Sequence, residues 1–132
     1  MKSDIGIKTD VFNHIKGSEL ARAVSGVVRK NGKRPHNSKK EDIVISVLAN
    51  VNGQIQTATV NVNIYTAAQD DKGQAVEDSR RLEKLCSLAS GLFDVFRGSD
   101  YRARLLEQRV YEVEGADEYV INNKIEYKQN NE

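Results

Sequence analysis

The sequence predicts an α+β fold: a mostly antiparallel four-stranded sheet, a long amphipathic helix across one face of it, and a short N-terminal pair of helices. Two patterns carry this prediction. Residues 54–67 alternate between apolar and polar side chains as a strand does, whereas residues 79–96 place apolar side chains at helical spacing. With 132 residues the chain has the size of one domain, and we expect a single domain over residues 1–132.

The N-terminal part of the chain is predicted to form two short helices. Thr9 and Asp10 are residue types that cap a helix, and Gly17 is placed to end the helix that they would begin. Ser18 is a second cap, and it predicts a short helix that closes before Gly26.

Two strands, Glu41–Ala49 and Gln54–Ala67, are predicted to form a hairpin whose turn contains Asn52 and Gly53, because an Asn-Gly pair tolerates positive φ. In the second strand, alanine, valine and isoleucine point one way and neutral polar side chains point the other. We name the latter set the polar strand face; it comprises Thr57, Thr59, Asn61, Asn63 and Tyr65. Such a surface can lie against water or against another subunit, and it is our candidate subunit interface.

An acidic linker, residues 69–73, precedes the predicted long helix of residues 79–96, which Gly98 ends. Its apolar stripe predicts that it packs on the apolar face of the sheet. The members of the stripe are Leu82, Leu85, Cys86, Ala89, Leu92, Phe93 and Phe96. Two closing strands, Arg102–Glu114 and Glu118–Lys128, complete the predicted sheet, and we expect residues 129–132 to be a disordered tail.

Composition excludes several classes of protein. The chain is 39% hydrophobic and 30% charged with a net charge of +1, which is ordinary for a globular protein and gives no global field for a polyanion. A single cysteine cannot form an internal disulfide, and no apolar run has the length of a membrane span. The first residues lack the apolar stretch of a signal peptide. We therefore expect a cytoplasmic protein that does not bind membranes.

The strongest electrostatic feature is a basic loop at residues 29–40, which also contains the only proline, Pro35, and has no acidic residue. Its cations are Arg29, Lys30, Lys33, Arg34, Lys39 and Lys40. The loop can be merely solvated, or it can contact DNA phosphates non-specifically or an acidic partner. It has no aromatic residue to stack on bases, so sequence-specific recognition of single strands is not indicated.

Catalytic and metal-binding patterns are weak throughout the sequence. Cys86 lies within the predicted apolar stripe, and His14 and His36 lack the spacing of zinc ligands. Glu126 and Lys128 share a strand face, as the acid and lysine of some nucleases do, but a solvated strand with opposite charges explains the pair better. We expect no enzymatic activity, no cofactor and no bound metal.

The order of these features resembles the phage tail-terminator and tail-completion (head–tail joining) proteins over nearly the whole chain. The resemblance lies in the helical pair Val11–Val24 and the loop segment Arg34-Pro35-His36-Asn37-Ser38. It continues through the strand Glu41-Asp42-Ile43-Val44-Ile45-Ser46-Val47, the strand Ala58–Ala67, the helix Ser79–Phe96 and the closing strands.

This resemblance implies a non-enzymatic phage or prophage structural protein that forms an oligomeric ring, often a hexamer, at the tail end. Tail-tube and head-connector proteins would be its partners, DNA would pass through the ring, and the protein would be part of the virion. An alternative is a cytoplasmic binding module that contacts nucleic acid or an acidic partner through residues 29–40. A nuclease that uses Glu126 and Lys128 is a third interpretation.

Overall fold

The computed structural model describes residues 1–130 and has an α+β fold. Its helices are α1 (Asp4–Ile15), α2 (Glu19–Ala23) and α3 (Ser79–Phe93). Its strands are β1 (Val28–Arg29), β2 (Ile43–Val51), β3 (Ile55–Ala67), β4 (Gln69–Asp71), β5 (Gln74–Val76), β6 (Val95–Arg97), β7 (Arg102–Val113) and β8 (Glu118–Asn130).

The main sheet has six strands in the order β1-β2-β3-β8-β7-β6, and β4 and β5 form a separate hairpin. The pair β1–β2 is parallel, and the other pairs of the main sheet are antiparallel. The predicted four-stranded sheet is therefore wrong. The two additional strands escaped prediction because β1 and β6 have two and three residues, which is too short for an alternation to register.

The predicted helix of residues 79–96 is wrong at its C-terminal end, because α3 stops at Phe93. Phe96 belongs to β6 and is buried, since the chain turns at Asp94 and re-enters the sheet. Phe93 and Phe96 have helical spacing and both reach the core, but they do so from different elements. Hydrophobic spacing alone cannot distinguish these two cases.

The core lies on one side of the sheet, under α1 and α3. Its helical side chains include Ile7, Val11 and Ile15 of α1 and Leu82, Leu85, Ala89 and Phe93 of α3. The sheet contributes the buried residues Ile43, Ile45, Ala58, Val60, Val62, Ile64, Ile121, Ile125 and Tyr127. We name this side the core face and the opposite side the open face. The polar strand face belongs to the open face, because its residues alternate with buried ones along β3.

The two N-terminal helices differ in how well their N-terminal caps were predicted. The Ser18 cap of α2 is confirmed, since its hydroxyl accepts a hydrogen bond from the Ala21 amide at 3.1 Å. The cap at Thr9 and Asp10 is wrong: α1 begins at Asp4 and is capped by Ser3. Thr9 lies inside α1, where its hydroxyl donates to the Ile5 carbonyl at 2.9 Å. A hydroxyl can satisfy itself in this way within a helix, so residue type alone did not locate the cap.

Three further differences concern segments outside the core. Residues 69–73, predicted as a linker, lie in the β4–β5 hairpin. Gln129 and Asn130, predicted to begin a disordered tail, belong to β8, and the rest of that tail, residues 131–132, lies outside the described residues. Among residues 1–130, no helix combines the length and the apolar composition needed to cross a bilayer.

Two glycines are expected to respond to alanine with opposite signs. A Cβ at Gly26 would lie 2.3 Å from Asp42 Oδ1 and 2.5 Å from the Glu41 carbonyl oxygen, whereas nothing lies within 4 Å of a Cβ at Gly91. Gly26→Ala should therefore lower the free energy of unfolding by about 1–3 kcal/mol through overpacking. Gly91→Ala, on the exposed side of α3, should raise it by up to about 1 kcal/mol through helix propensity. Urea denaturation measures both, and a Gly26→Ala variant as stable as the parent contradicts the packing.

Candidate functional site

The basic loop is fastened to the open face by Arg34. The guanidinium donates two hydrogen bonds to the Glu118 carboxylate, both at 2.9 Å, and a third to Asp42 Oδ2 at 3.0 Å. It also donates to the Lys40 carbonyl at 2.8 Å and lies 4.3 Å from the centre of the Tyr65 ring. One side chain thus connects the loop to the start of β2, to β3 and to β8.

This ion network is largely removed from water. The side chains of Asp42, Glu118 and Arg34 are 1%, 7% and 17% exposed. The hydrogen bond to Glu118 raises the pKa of Arg34. Burial acts to raise the pKa of Asp42, but hydrogen bonds from Ser38, the Val27 amide and Arg34 outweigh it and lower that pKa. Both carboxylates depend on Arg34, because an unpaired charge in such a position is costly.

The remaining cations of the predicted basic loop have different surroundings. Lys30 donates to the Thr9 hydroxyl at 3.2 Å and lies 5.4 Å from the Phe12 ring. Arg29 is a half-buried residue of β1, while Lys33, Lys39 and Lys40 are exposed. Arg34 therefore has a structural role, and contact of the loop with nucleic acid or an acidic partner stays a prediction that depends on its exposed lysines.

The polar strand face lies in the middle of the open face, between β2 and β8. The Asn122 side-chain amide donates to Asn63 Oδ1 at 2.8 Å and to Asn61 Oδ1 at 3.2 Å, which joins β8 to β3. Thr57 and Thr59 are half-buried on the same face, and Tyr65 lies beneath Arg34. The side chains are held in a hydrogen-bonded patch, and the prediction that this patch is a subunit interface stays a prediction.

The sheet ends in the very short strands β1 and β6, so the outer edges of the long strands beside them, β2 and β7, are largely unpaired. β1 pairs only with Ile43 and Val44, and β6 pairs only with residues 102–104 of β7. Within the described part of the chain, no strand pairs with the outer edge of β2 beyond Val44 or of β7 beyond Arg104. Large apolar side chains are exposed along both edges: Leu48 and Val51 on β2, and Leu106, Val110 and Tyr111 on β7.

The residues considered for catalysis are engaged in the structure. Glu126 accepts a hydrogen bond from Arg104 at 3.1 Å and lies 3.7 Å from the amino group of Lys128. Cys86 is half-buried, and burial raises the pKa of its thiol, which disfavours the reactive thiolate. His14 is hydrogen-bonded to the Leu92 carbonyl at 2.8 Å. Among residues 1–130, no group of three or more His, Cys, Asp or Glu side chains could hold a metal ion.

The sequence did not indicate one further group of residues. Arg97, Arg102 and Lys128 lie directly opposite one another on β6, β7 and β8. Arg97 was predicted to follow a helix, so its pairing with Arg102 could not be foreseen, and the register of β7 with β8 has no signature in either strand alone.

Comparison of the chain with protein-family models and with curated proteins gave no match in either case.

Replacement of Arg34 is expected to destabilise the protein in a pH-dependent way. Arg34→Met keeps the apolar stem but leaves Asp42 and Glu118 unpaired, which should cost about 3–5 kcal/mol of unfolding free energy at pH 7. Because the pKa of Asp42 is lowered from 3.8, its stabilisation is present above that pH and is lost as the pH falls further. The difference in the free energy of unfolding between variant and parent, measured by urea denaturation, should become smaller below about pH 3.8.

Lys33→Met is the matched control, since Lys33 is an exposed cation of the same loop. It should change the free energy of unfolding by no more than about 0.5 kcal/mol. Equal effects of the two substitutions at pH 7 would contradict the anchoring role of Arg34.

Proposed function

We propose that the chain is a non-enzymatic structural protein that assembles head to tail through the two uncovered edges of its sheet. The observation that carries the proposal is the position of these edges. The outer edges of β2 and β7 are at opposite sides of one sheet, and the uncovered parts of the two strands have comparable lengths. Contact between two different surfaces is heterologous, and repetition of such a contact closes a ring when the rotation permits.

The edge of β2 is the stronger half of this argument. An uncovered strand offers unpaired backbone amides and carbonyls, and monomeric proteins usually protect it with lysine, proline, a β-bulge or a covering element. Of these devices β2 has an irregularity in its pairing with β3, between Val47 and Ala49. The sequence from Ile43 to Gln69 contains no charged residue and no proline. Leu48 and Val51 are 63% and 65% exposed beside this edge. A strand of this kind is suited to pair with another chain, and pairing would also cover its apolar side chains.

The biological role that we propose is that of a phage or prophage tail-terminator or head–tail joining component. The resemblance in the order of elements supports this role, and the sheet edges supply a physical means of making its ring. The ring would sit at the end of the tail, and its partners would be tail-tube and head-connector proteins.

A second candidate function is a binding module that contacts nucleic acid or an acidic partner through the basic loop. The observation in its favour is that Arg34 holds the loop in one position while Lys33, Lys39 and Lys40 remain exposed. Replacement of these three lysines by alanine tests it. The variant should bind DNA more weakly, and its affinity for DNA should depend less on the salt concentration. Unchanged binding would contradict this function.

The proposed assembly predicts a solution mass that depends on the β2 edge. Light scattering over a concentration series should show species larger than the 14.8 kDa chain, with a mass near six subunits for a hexameric ring. The double variant Leu48→Lys, Val51→Lys should shift this equilibrium to the monomer, because a charged edge opposes strand pairing.

Ala75→Lys is the control, because Ala75 is exposed on β5, in the hairpin that is separate from the main sheet. It removes an exposed apolar side chain and adds the same charge per site, and it should leave the mass unchanged. A monomer at every concentration, or equal loss of oligomers in both variants, would contradict assembly through the β2 edge.

A further inference from the structure

Three cationic side chains form a row across β6, β7 and β8 on the open face. Arg97 is directly opposite Arg102, and Arg102 is directly opposite Lys128. Phe96, Ala103 and Tyr127 beside them are buried on the core face, so the three cations project from the open face. Neighbouring strands are about 4.8 Å apart, which places the row within about 10 Å. We name this group the cation row.

The row is only partly neutralised by the protein. Lys128 lies 3.7 Å from Glu126, which also accepts a hydrogen bond from Arg104 at 3.1 Å. Within residues 1–130, no carboxylate forms an ion pair with Arg97 or Arg102. Like charges directly opposite each other destabilise a sheet. A bound anion would remove this repulsion.

The backbone under the row is fixed by the turn between β6 and β7. The Gly98 amide donates to the Tyr101 carbonyl at 3.1 Å, and the Tyr101 ring stacks on Tyr127 with 5.0 Å between ring centres. The Tyr101 ring is so close that a Cβ at Gly98 would lie 2.3 Å from it. Beside this turn, Arg97, Arg102 and Lys128 line an open depression of about 390 Å³. The backbone that carries these three side chains is therefore held in place without a bound anion.

The surface around the row carries charges of both signs, and Asp100 lines the same depression as the row. Along the open face of β7 and β8, the next charged residues are the cations Arg104, Arg109 and Lys124 and the acids Glu107 and Glu126. Beyond β8 the open face continues into the neutral threonine and asparagine side chains of the polar strand face. Such hydroxyl and amide groups, like lysine and arginine, commonly contact phosphate and sugar in nucleic acids.

We propose that the cation row binds consecutive phosphates of a nucleic-acid backbone. The three cations lie on neighbouring strands about 4.8 Å apart, and their long side chains can reach successive phosphates of one strand, which follow each other at about 3.4 Å along the helix axis. Binding of this kind is independent of sequence, since phosphate contacts carry no base information. The proposal does not depend on ring formation.

The cation row and the basic loop are separate surfaces. Lys128 in the row pairs with Thr57 of β3, whereas Glu118 beneath Arg34 pairs with Ala67 at the other end of the same two strands. Ten residues of strand separate the two positions, or about 33 Å. Substitutions in one surface can therefore be compared with equal charge changes in the other.

The test measures binding of a fluorescently labelled 30-base-pair duplex by anisotropy across a series of salt concentrations. The parent protein should bind at low salt, with log Kd linear in log salt concentration. The double variant Arg97→Gln, Arg102→Gln should bind more weakly, and its salt slope should fall by about two, because two phosphate contacts are lost. Its melting temperature should equal or exceed that of the parent, because a repulsion has been removed.

The matched control is Lys16→Gln, Lys72→Gln, which removes the same charge from two exposed lysines outside the cation row and the basic loop and should preserve the slope. An unchanged slope in the Arg97, Arg102 variant would overturn the proposal, as would loss of slope in the control. Absence of binding by the parent at low salt would also overturn it. Polyglutamate tests the chemistry: competition as strong as that of unlabelled DNA would indicate an acidic-protein site and overturn the assignment to phosphates.

Discussion

The pairing of β3 with β8 determines where the core and the anchor of the basic loop lie. The two strands pair without a register shift from Ile55 opposite Asn130 to Ala67 opposite Glu118. A slip of one residue would move every apolar side chain of one strand to the open face, so burial under α1 and α3 holds the register. The same register places Glu118 where Arg34 reaches it. The cation row depends in addition on the pairing of β7 with β8 and of β6 with β7.

Buried charge explains how the basic loop can be ordered without a core of its own. Removing Asp42 and Glu118 from water is costly, and Arg34 offsets that cost with a planar fork of donors that fits both carboxylates. One cation of the basic loop, Arg34, thus stabilises the fold. Within residues 1–130, the cations without an acidic partner include Arg97 and Arg102, which are in a part of the sequence where acids are common.

The sequence predicted those elements that are determined by residues close together in the chain. The alternation of Thr57 to Tyr65 predicted the two faces of β3, and Ser18 predicted the start of α2. Position in the sheet was not predictable, because β1 and β6 are strands only through the partners beside them. Arg34 and Glu118 are 84 residues apart in the chain, so nothing within the loop could identify its anchor. The candidate sites divide in the same way: the loop was visible as a charge run, whereas the cation row exists only in the register of three strands.

We propose that the outer edges of β2 and β7 pair with each other between subunits. Hydrogen–deuterium exchange at low and high protein concentration tests it at the backbone atoms concerned. We predict that outward-facing amides of residues 46–51 and 106–113 become protected together as the concentration rises, while the central amides of β3 stay equally protected throughout. Concentration-independent exchange at both edges, in a sample whose mass nevertheless increases, would contradict the claim and move the interface to another surface.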